Sequence, residues 1–73
     1  MLNKDEIKKH FNFLDGLRES GVTNMLGSSP YLVDTFGLNK NLANHILAEW
    51  IRTFNLGTSL EVRVSQVDMS KYT

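Results

Sequence analysis

A glycine-centred turn between two predicted helices constrains this chain more than any other feature of its sequence. Residues 28–30, Ser-Ser-Pro, form a helix start signal, because serine caps helix N-termini and proline fits the first helical position. The helix that begins there ends at Gly37, since glycine adopts a positive φ at little cost. Asn39 then caps a second helix, predicted over residues 40–54. The sequence therefore predicts a helical hairpin with a turn of three residues.

The second helix of this hairpin separates an apolar stripe from a polar outer face. Its apolar stripe contains Ala43, Ile46, Leu47, Trp50, Ile51 and Phe54, and its outer face presents Asn41, Asn44, His45, Ala48 and Arg52. Apolar residues at this spacing form the side of a helix that faces a core. We therefore expect the stripe to be buried and the outer face to be exposed.

The hairpin resembles the helix-turn-helix superfamily, whose unit is two helices joined by a short turn that often contains glycine. The matching residues are Leu32 and Phe36 in the first helix, Gly37 and Leu38 in the turn, and Ala43 and Ile46 in the second helix. Val33 departs from the pattern, because the superfamily prefers alanine there for close helix contact. This departure implies slightly wider spacing between the two helices.

The resemblance implies a set of contact residues for duplex DNA. Asn39, Lys40, Asn41, Asn44 and His45 match positions where such proteins contact bases, and Arg52 lies two turns farther on, toward the phosphate backbone. Asparagine reads adenine with two hydrogen bonds, and lysine reads guanine or a phosphate. The same hairpin is also a compact way to bury apolar residues, and many domains of this shape bind protein instead of DNA.

A wider resemblance covers the middle of the chain. Residues 13–25, Gly27, 30–32, 36–38 and 46–50 look like a group of short, uncharacterised bacterial and bacteriophage proteins with a helix-turn-helix-like core. The resemblance implies a bacterial or bacteriophage origin and a fold, but no activity.

The first helix is predicted over residues 4–20. Asn3 and Glu6 have the spacing of a capping box, and Gly21 is placed to end the helix. Its apolar face consists of Ile7, Phe11, Leu14 and Leu17, widened by Phe13. Gly16 weakens the helix, which hints at close packing there. Between this helix and the hairpin, Thr23 is placed to cap a single turn of helix.

The C-terminal part of the chain changes its periodicity. Leu60, Val62 and Val64 alternate with Glu61 and Arg63, which is the pattern of a strand. The predicted fold is therefore a mainly all-α domain of three to four helices over residues 1–57, followed by an extended segment over residues 58–73. Two arrangements of the strand are open. Two copies pair antiparallel about Val62 in a homodimer, with Glu61 facing Arg63, or the segment folds back on its own helices.

Composition argues against several classes of protein. Eight basic and eight acidic residues leave no net charge, which disfavours a strongly basic nucleic-acid clamp. The chain has no cysteine, and its two histidines lack a zinc-binding pattern, so we expect no metal and no cofactor. Charges occupy the N-terminal region where a signal peptide needs an apolar stretch. We expect no membrane partner and a cytoplasmic location, in the host cytoplasm if the chain is phage-encoded.

Catalysis finds little support in the sequence. Asp15 and Glu19 have the spacing of a carboxylate pair on a helix, and His45 and Glu49 that of an acid–base pair. Both arrangements are usually no more than surface charges. We therefore expect a binding protein and no enzyme. The leading hypothesis is a small helix-turn-helix-like nucleic-acid-associated or regulatory protein. The alternative is a protein-interaction module that docks on a host or virion protein. The asparagine-rich face favours the first, and the neutral charge favours the second.

Overall fold

A computed structural model describes residues 3–21, 27–55 and 57–67 of the chain. Within these ranges it contains four helices: α1 (Lys4–Ser20), α2 (Ser29–Phe36), α3 (Lys40–Thr53) and α4 (Leu60–Ser65). The prediction of a mainly helical fold is confirmed. The single turn of helix expected near Thr23 lies outside the described residues.

The ends of the helices follow the capping signals in the sequence. The side-chain oxygens of Asn3 and Asn39 each accept a hydrogen bond from the backbone N–H three residues later, at 2.9 and 2.7 Å. Gly21 and Gly37 end α1 and α2 with φ angles of 69° and 68°. The asparagine caps at the helix starts and the glycine caps at the helix ends satisfy backbone groups that would otherwise have no partner inside the helix. The predicted bounds of the first two helices are confirmed, and α3 ends one residue earlier than predicted.

The start of α2 differs in detail from the predicted serine cap. The backbone of Ser28 is itself in the right-handed helical region, and its side chain is buried. The first turn is closed by the Ser28 carbonyl, which accepts from the backbone N–H groups of Tyr31 and Leu32 at 3.1 and 3.4 Å. Pro30 lies in this first turn, where its missing N–H costs nothing.

The core draws apolar side chains from all four helices and from the residues just after α4. Its members are Ile7, Phe11, Leu14, Leu32, Ala43, Ile46, Leu47, Trp50, Val64 and Val67, each at most 7% exposed. Leu38 and Phe36 are half-buried against its edge. Of the predicted stripe of α3, Ile51 was wrongly assigned, because its side chain is 43% exposed.

The C-terminal strand prediction is wrong, because residues 60–65 form α4. The Ser59 hydroxyl accepts from the N–H of Val62 at 3.4 Å and caps this helix. Leu60, Val64 and Val67 are spaced i, i+4 and i+7, the spacing of one helix face, and the two valines enter the core. The tail therefore folds back on its own helices, and the strand-paired homodimer has no strand to form it. Residues 68–73 lie outside the described part of the chain.

Buried and exposed ion pairs attach α4 to the other helices. The Arg63 guanidinium donates to both oxygens of the Asp15 carboxylate, at 3.1 and 2.7 Å. The indole N–H of Trp50 donates to the same carboxylate at 2.9 Å. At the surface, Lys8 pairs with Glu61 at 3.0 Å. One carboxylate thus connects α1, α3 and α4.

Candidate functional site

The outer face of the N-terminal half of α3 is the candidate functional site. Lys40, Asn41, Asn44 and His45 are exposed on this face, which we call the α3 face. On the opposite side of the same helix, Ala43, Ile46, Leu47 and Trp50 are buried in the core. The four residues of the α3 face are therefore not needed to fill the core.

The turn before α3 fixes where this face points. The N–H of Gly37 donates to the Val33 carbonyl at 3.0 Å, and the positive φ of Gly37 turns the chain away from α2. Leu38 packs against the core edge immediately afterwards. The Phe36 ring lies against the rings of His10 and Phe13 on α1, with centroids 4.5 and 5.3 Å apart. The start of α3 is thereby held relative to both preceding helices.

Asn39 belongs to the predicted contact set but has a structural role. Its side-chain oxygen accepts from the backbone N–H of Leu42. A bidentate contact to adenine needs both the oxygen and the NH₂ group of an asparagine side chain. Asn39 is therefore the helix cap, and Asn41 and Asn44 are the better candidates for reading a base.

Arg52 has a structural role as well, and its predicted contact with the phosphate backbone stays a prediction. Its guanidinium donates to the Glu49 carboxylate at 2.8 Å and to the Gln66 carbonyl at 2.7 Å. These bonds join α3 to the residue that follows α4. The sequence had paired Glu49 with His45. The structure buries Glu49 at 4% exposure and pairs its carboxylate with Arg52.

The charges along α3 leave its exposed N-terminal half without an acidic group. The charged residues of this helix are Lys40, Glu49 and Arg52. Since Glu49 is buried and paired with Arg52, Lys40 is the one charged side chain of the α3 face. The N-terminus of a helix adds partial positive charge from its unpaired N–H groups. The residues of α3 itself therefore give this face one positive and no negative side chain, while Asp34 of α2 lines the same surface groove as Lys40.

The exposed side of α3 becomes apolar toward its C-terminus. Asn44, Ala48 and Ile51 follow one another at i, i+4 and i+7, so they share one side of the helix. All three are exposed. Ile51 was placed in the predicted stripe because apolar residues recur at helical spacing through this part of α3. Its spacing of seven residues from the polar Asn44, which places the two on the same side of the helix, was the signal that its side chain is exposed.

The second predicted set, Leu60 to Val64, is distributed over the faces of α4. Arg63 and Val64 are buried, Leu60 is half-buried, and Glu61 and Val62 are exposed. The hydrogen bond from Lys8 is the main cause that lowers the pKa of Glu61. These residues attach α4 to the domain and do not line up along one edge.

The described residues contain no group of three or more side chains suited to hold a metal ion. The Asp15 carboxylate, which the sequence paired with Glu19, binds Arg63 and Trp50. Gly16 is exposed, and a Cβ placed there would meet nothing within 4 Å, so the close packing inferred at this position is wrong.

Within the described parts of the chain, none of the helices has the length and apolar character needed to cross a membrane.

Comparisons of the chain with protein-family models, with curated proteins and with solved structures found no match.

Proposed function

We propose that this chain is a small helix-turn-helix-like protein that binds duplex DNA through the α3 face. The observation that carries the proposal is the exposure of Lys40, Asn41, Asn44 and His45 on a helix whose opposite side is buried. Such a helix, presented by the domain with its polar side outward, has the dimensions to enter the major groove.

The arrangement of α2 and α3 supports the helix-turn-helix assignment. An eight-residue helix and a fourteen-residue helix are joined by three residues, the first of them a glycine with positive φ. Leu32, Ala43 and Ile46 are buried, and Leu38 lies at the core edge. The resemblance to the superfamily assigns these residues, together with the half-buried Phe36, to the inner side of the two helices. A bacterial or bacteriophage origin remains a prediction from the sequence.

The chemistry of the α3 face fits base edges better than phosphates. Asn41 and Asn44 each offer a donor and an acceptor, the pair that adenine presents in the major groove. A good bidentate contact of this kind is worth about 1–3 kcal/mol of discrimination between bases. Lys40 supplies a single positive charge for a phosphate or a guanine. We therefore expect modest affinity, with specificity that depends mainly on the two asparagines.

A mobility-shift experiment at low and moderate salt tests the proposal. The contact variant replaces Lys40, Asn41, Asn44 and His45 with alanine, which should preserve helicity because alanine is the best helix former. The matched control replaces Lys9 and Asn12, two exposed residues of α1, with alanine and also removes one positive charge. The proposal expects wild-type binding that weakens with salt, retained by the control and lost by the contact variant. Full binding by the contact variant would refute it.

A protein partner is the second candidate function, and the exposed Ile51 favours it. Ala48 and Ile51 extend the α3 face with apolar surface, and the chain has no net charge to attract DNA. Apolar surface of this kind is more common in protein interfaces than in contacts with phosphate-rich DNA. If the wild-type chain shifts no duplex at any salt concentration, DNA binding is rejected and the protein partner becomes the proposed function.

A further inference from the structure

His10 is a buried histidine in the contact between α1 and α2. It is 4% exposed, and its Nδ1 atom has no hydrogen-bond partner among the described residues. Its ring lies 4.5 Å from that of Phe36, with the two planes at 72°. Phe36 is the last residue of α2, directly before the turn at Gly37. The contact therefore joins α1 to the point where the chain turns toward α3.

The surroundings of His10 favour its neutral form. In the described part of the chain, the charges that act on the ring are those of Glu6 and Lys9, both on α1. Glu6 favours the charged form and Lys9 opposes it. The group that α2 places against the ring is the phenyl ring of Phe36, which has no acceptor oxygen. A proton on Nδ1 would therefore be a buried, charged donor without an acceptor, which is costly.

We propose that His10 is a proton-sensitive contact, whose protonation separates His10 from Phe36 and loosens the turn at Gly37. The driving force is hydration. In the closed contact the Nδ1 atom of the charged ring is out of water and has no acceptor among the described residues, whereas in an opened contact it is hydrated. The opened state therefore binds the proton more tightly than the closed state, and acid shifts the population toward it.

The pKa of His10 is consistent with this arrangement. Burial, the largest influence, lowers the pKa below the ordinary value of 6.5, while Glu6 raises it and Lys9 lowers it. Because the turn positions the start of α3, opening would change how the α3 face is presented. A loss of DNA affinity in acid would follow, and this consequence rests on the proposed function.

Amide hydrogen exchange of the chain alone tests the proposal without DNA. The N–H of Gly37, bonded to Val33, reports on the turn beside Phe36. The N–H of Gly21, bonded to Leu17, is the matched reporter at the end of α1. After correction for intrinsic rates, exchange at Gly37 should accelerate relative to Gly21 as the pH falls below about 6.5. Equal behaviour of the two glycines would overturn the proposal.

Two variants assign the effect to one histidine. In His10→Phe, which keeps an aromatic ring that cannot bind a proton, the acceleration at Gly37 should disappear. In His45→Gln, which removes the exposed histidine of α3, the acceleration should remain. An acceleration that persists in His10→Phe, or that vanishes in His45→Gln, would contradict the assignment to His10.

A titration of the wild-type chain by NMR keeps the test valid if His10→Phe does not fold. The ring signals of His10 and the amide signals of Phe36 and Gly37 should change with one common midpoint. Amide signals that stay constant while the His10 ring becomes charged would show that protonation does not reach the turn, and would overturn the proposal. Since neither measurement contains DNA, failure of the proposed function leaves both results interpretable.

Discussion

Arg63 on α4 donates two hydrogen bonds to the carboxylate of Asp15 on α1, across 48 positions of the sequence. The Arg63 side chain is 6% exposed and the Asp15 side chain 27%, so the guanidinium is nearly removed from water while the carboxylate keeps some contact with it. Trp50 donates a third hydrogen bond to the same carboxylate from α3. A helix of six residues is not stable alone, because it forms too few hydrogen bonds to offset the free-energy cost of nucleation. The existence of α4 therefore depends on these contacts and on the burial of Val64.

Replacing Asp15 with alanine should destabilise the domain strongly. The change leaves the Arg63 guanidinium buried without its partner, which typically costs about 3–5 kcal/mol. Arg18→Ala is the matched control, because Arg18 is exposed although its guanidinium also lies over the Phe54 ring, at 4.8 Å. The control should cost about 1 kcal/mol or less. Urea unfolding measures both, and equal midpoints for the two variants would contradict the role given to Asp15.

Two glycine substitutions should change stability in opposite directions. Gly16→Ala should stabilise the chain by about 0.5–1 kcal/mol, because Gly16 is exposed inside α1 and a Cβ there meets nothing within 4 Å. Gly37→Ala should destabilise it by about 1 kcal/mol or more, because the φ of 68° strains any residue with a Cβ. Thermal melts compare the two variants. A stabilised Gly37→Ala variant would show that the turn does not require glycine.

Leu32 and Leu38 should differ in how much their removal costs. Leu32→Ala should cost about 2–5 kcal/mol, because Leu32 is fully buried and its removal leaves a cavity. Leu38 is half-buried at the core edge, so Leu38→Ala should cost less, about 0.5–3 kcal/mol. Denaturant unfolding of both variants checks this order. A larger loss of unfolding free energy for Leu38→Ala than for Leu32→Ala would mean that the turn contributes more to stability than the burial of Leu38 indicates.

The free energy of unfolding should decrease as the pH falls below about 6.5. Burial lowers the pKa of His10, so as the pH falls the unfolded chain takes up a proton on this residue before the folded chain does. The free energy of unfolding therefore decreases between the ordinary pKa of histidine and the lower pKa of His10 in the folded chain. His10→Gln should flatten this part of the profile, and His45→Gln should not. Lys8 lowers the pKa of Glu61, so that pair is lost in a separate window below about 4.5, as the carboxylate takes up its proton. A wild-type profile that is flat between pH 7 and 5 would contradict this account.

The parts of the fold that could be predicted from the sequence are those determined by neighbouring residues. The caps at Asn3 and Asn39 and the glycines at 21 and 37 act within one turn of helix, so their signals are local. The same holds for the exposed side of the first half of α3. Its separation from the buried stripe follows from helical periodicity alone.

The parts that sequence reasoning missed depend on distant contacts. Residues 60–67 fit both a strand and a helix, because Leu60, Val62 and Val64 alternate while Leu60, Val64 and Val67 keep helical spacing. The helix is supported by the local cap at Ser59, and also by two distant contributions, the burial of Val64 in the core and the bonds from Arg63 to Asp15. The role of Arg52 was missed for a similar reason, since its second partner is the Gln66 carbonyl. Neither partner has a local signal in the sequence.

NMR mapping of a duplex on the chain tests most directly whether the α3 face binds DNA. A short duplex that contains A·T pairs is used at low salt, because Asn41 and Asn44 are proposed to contact adenine and Lys40 a phosphate or a guanine. The largest changes in amide signals should occur at residues 40–45, with small changes at Lys9 and Asn12 on α1. Changes concentrated on α1 or α4, or no change at any duplex concentration, would contradict DNA binding by the α3 face.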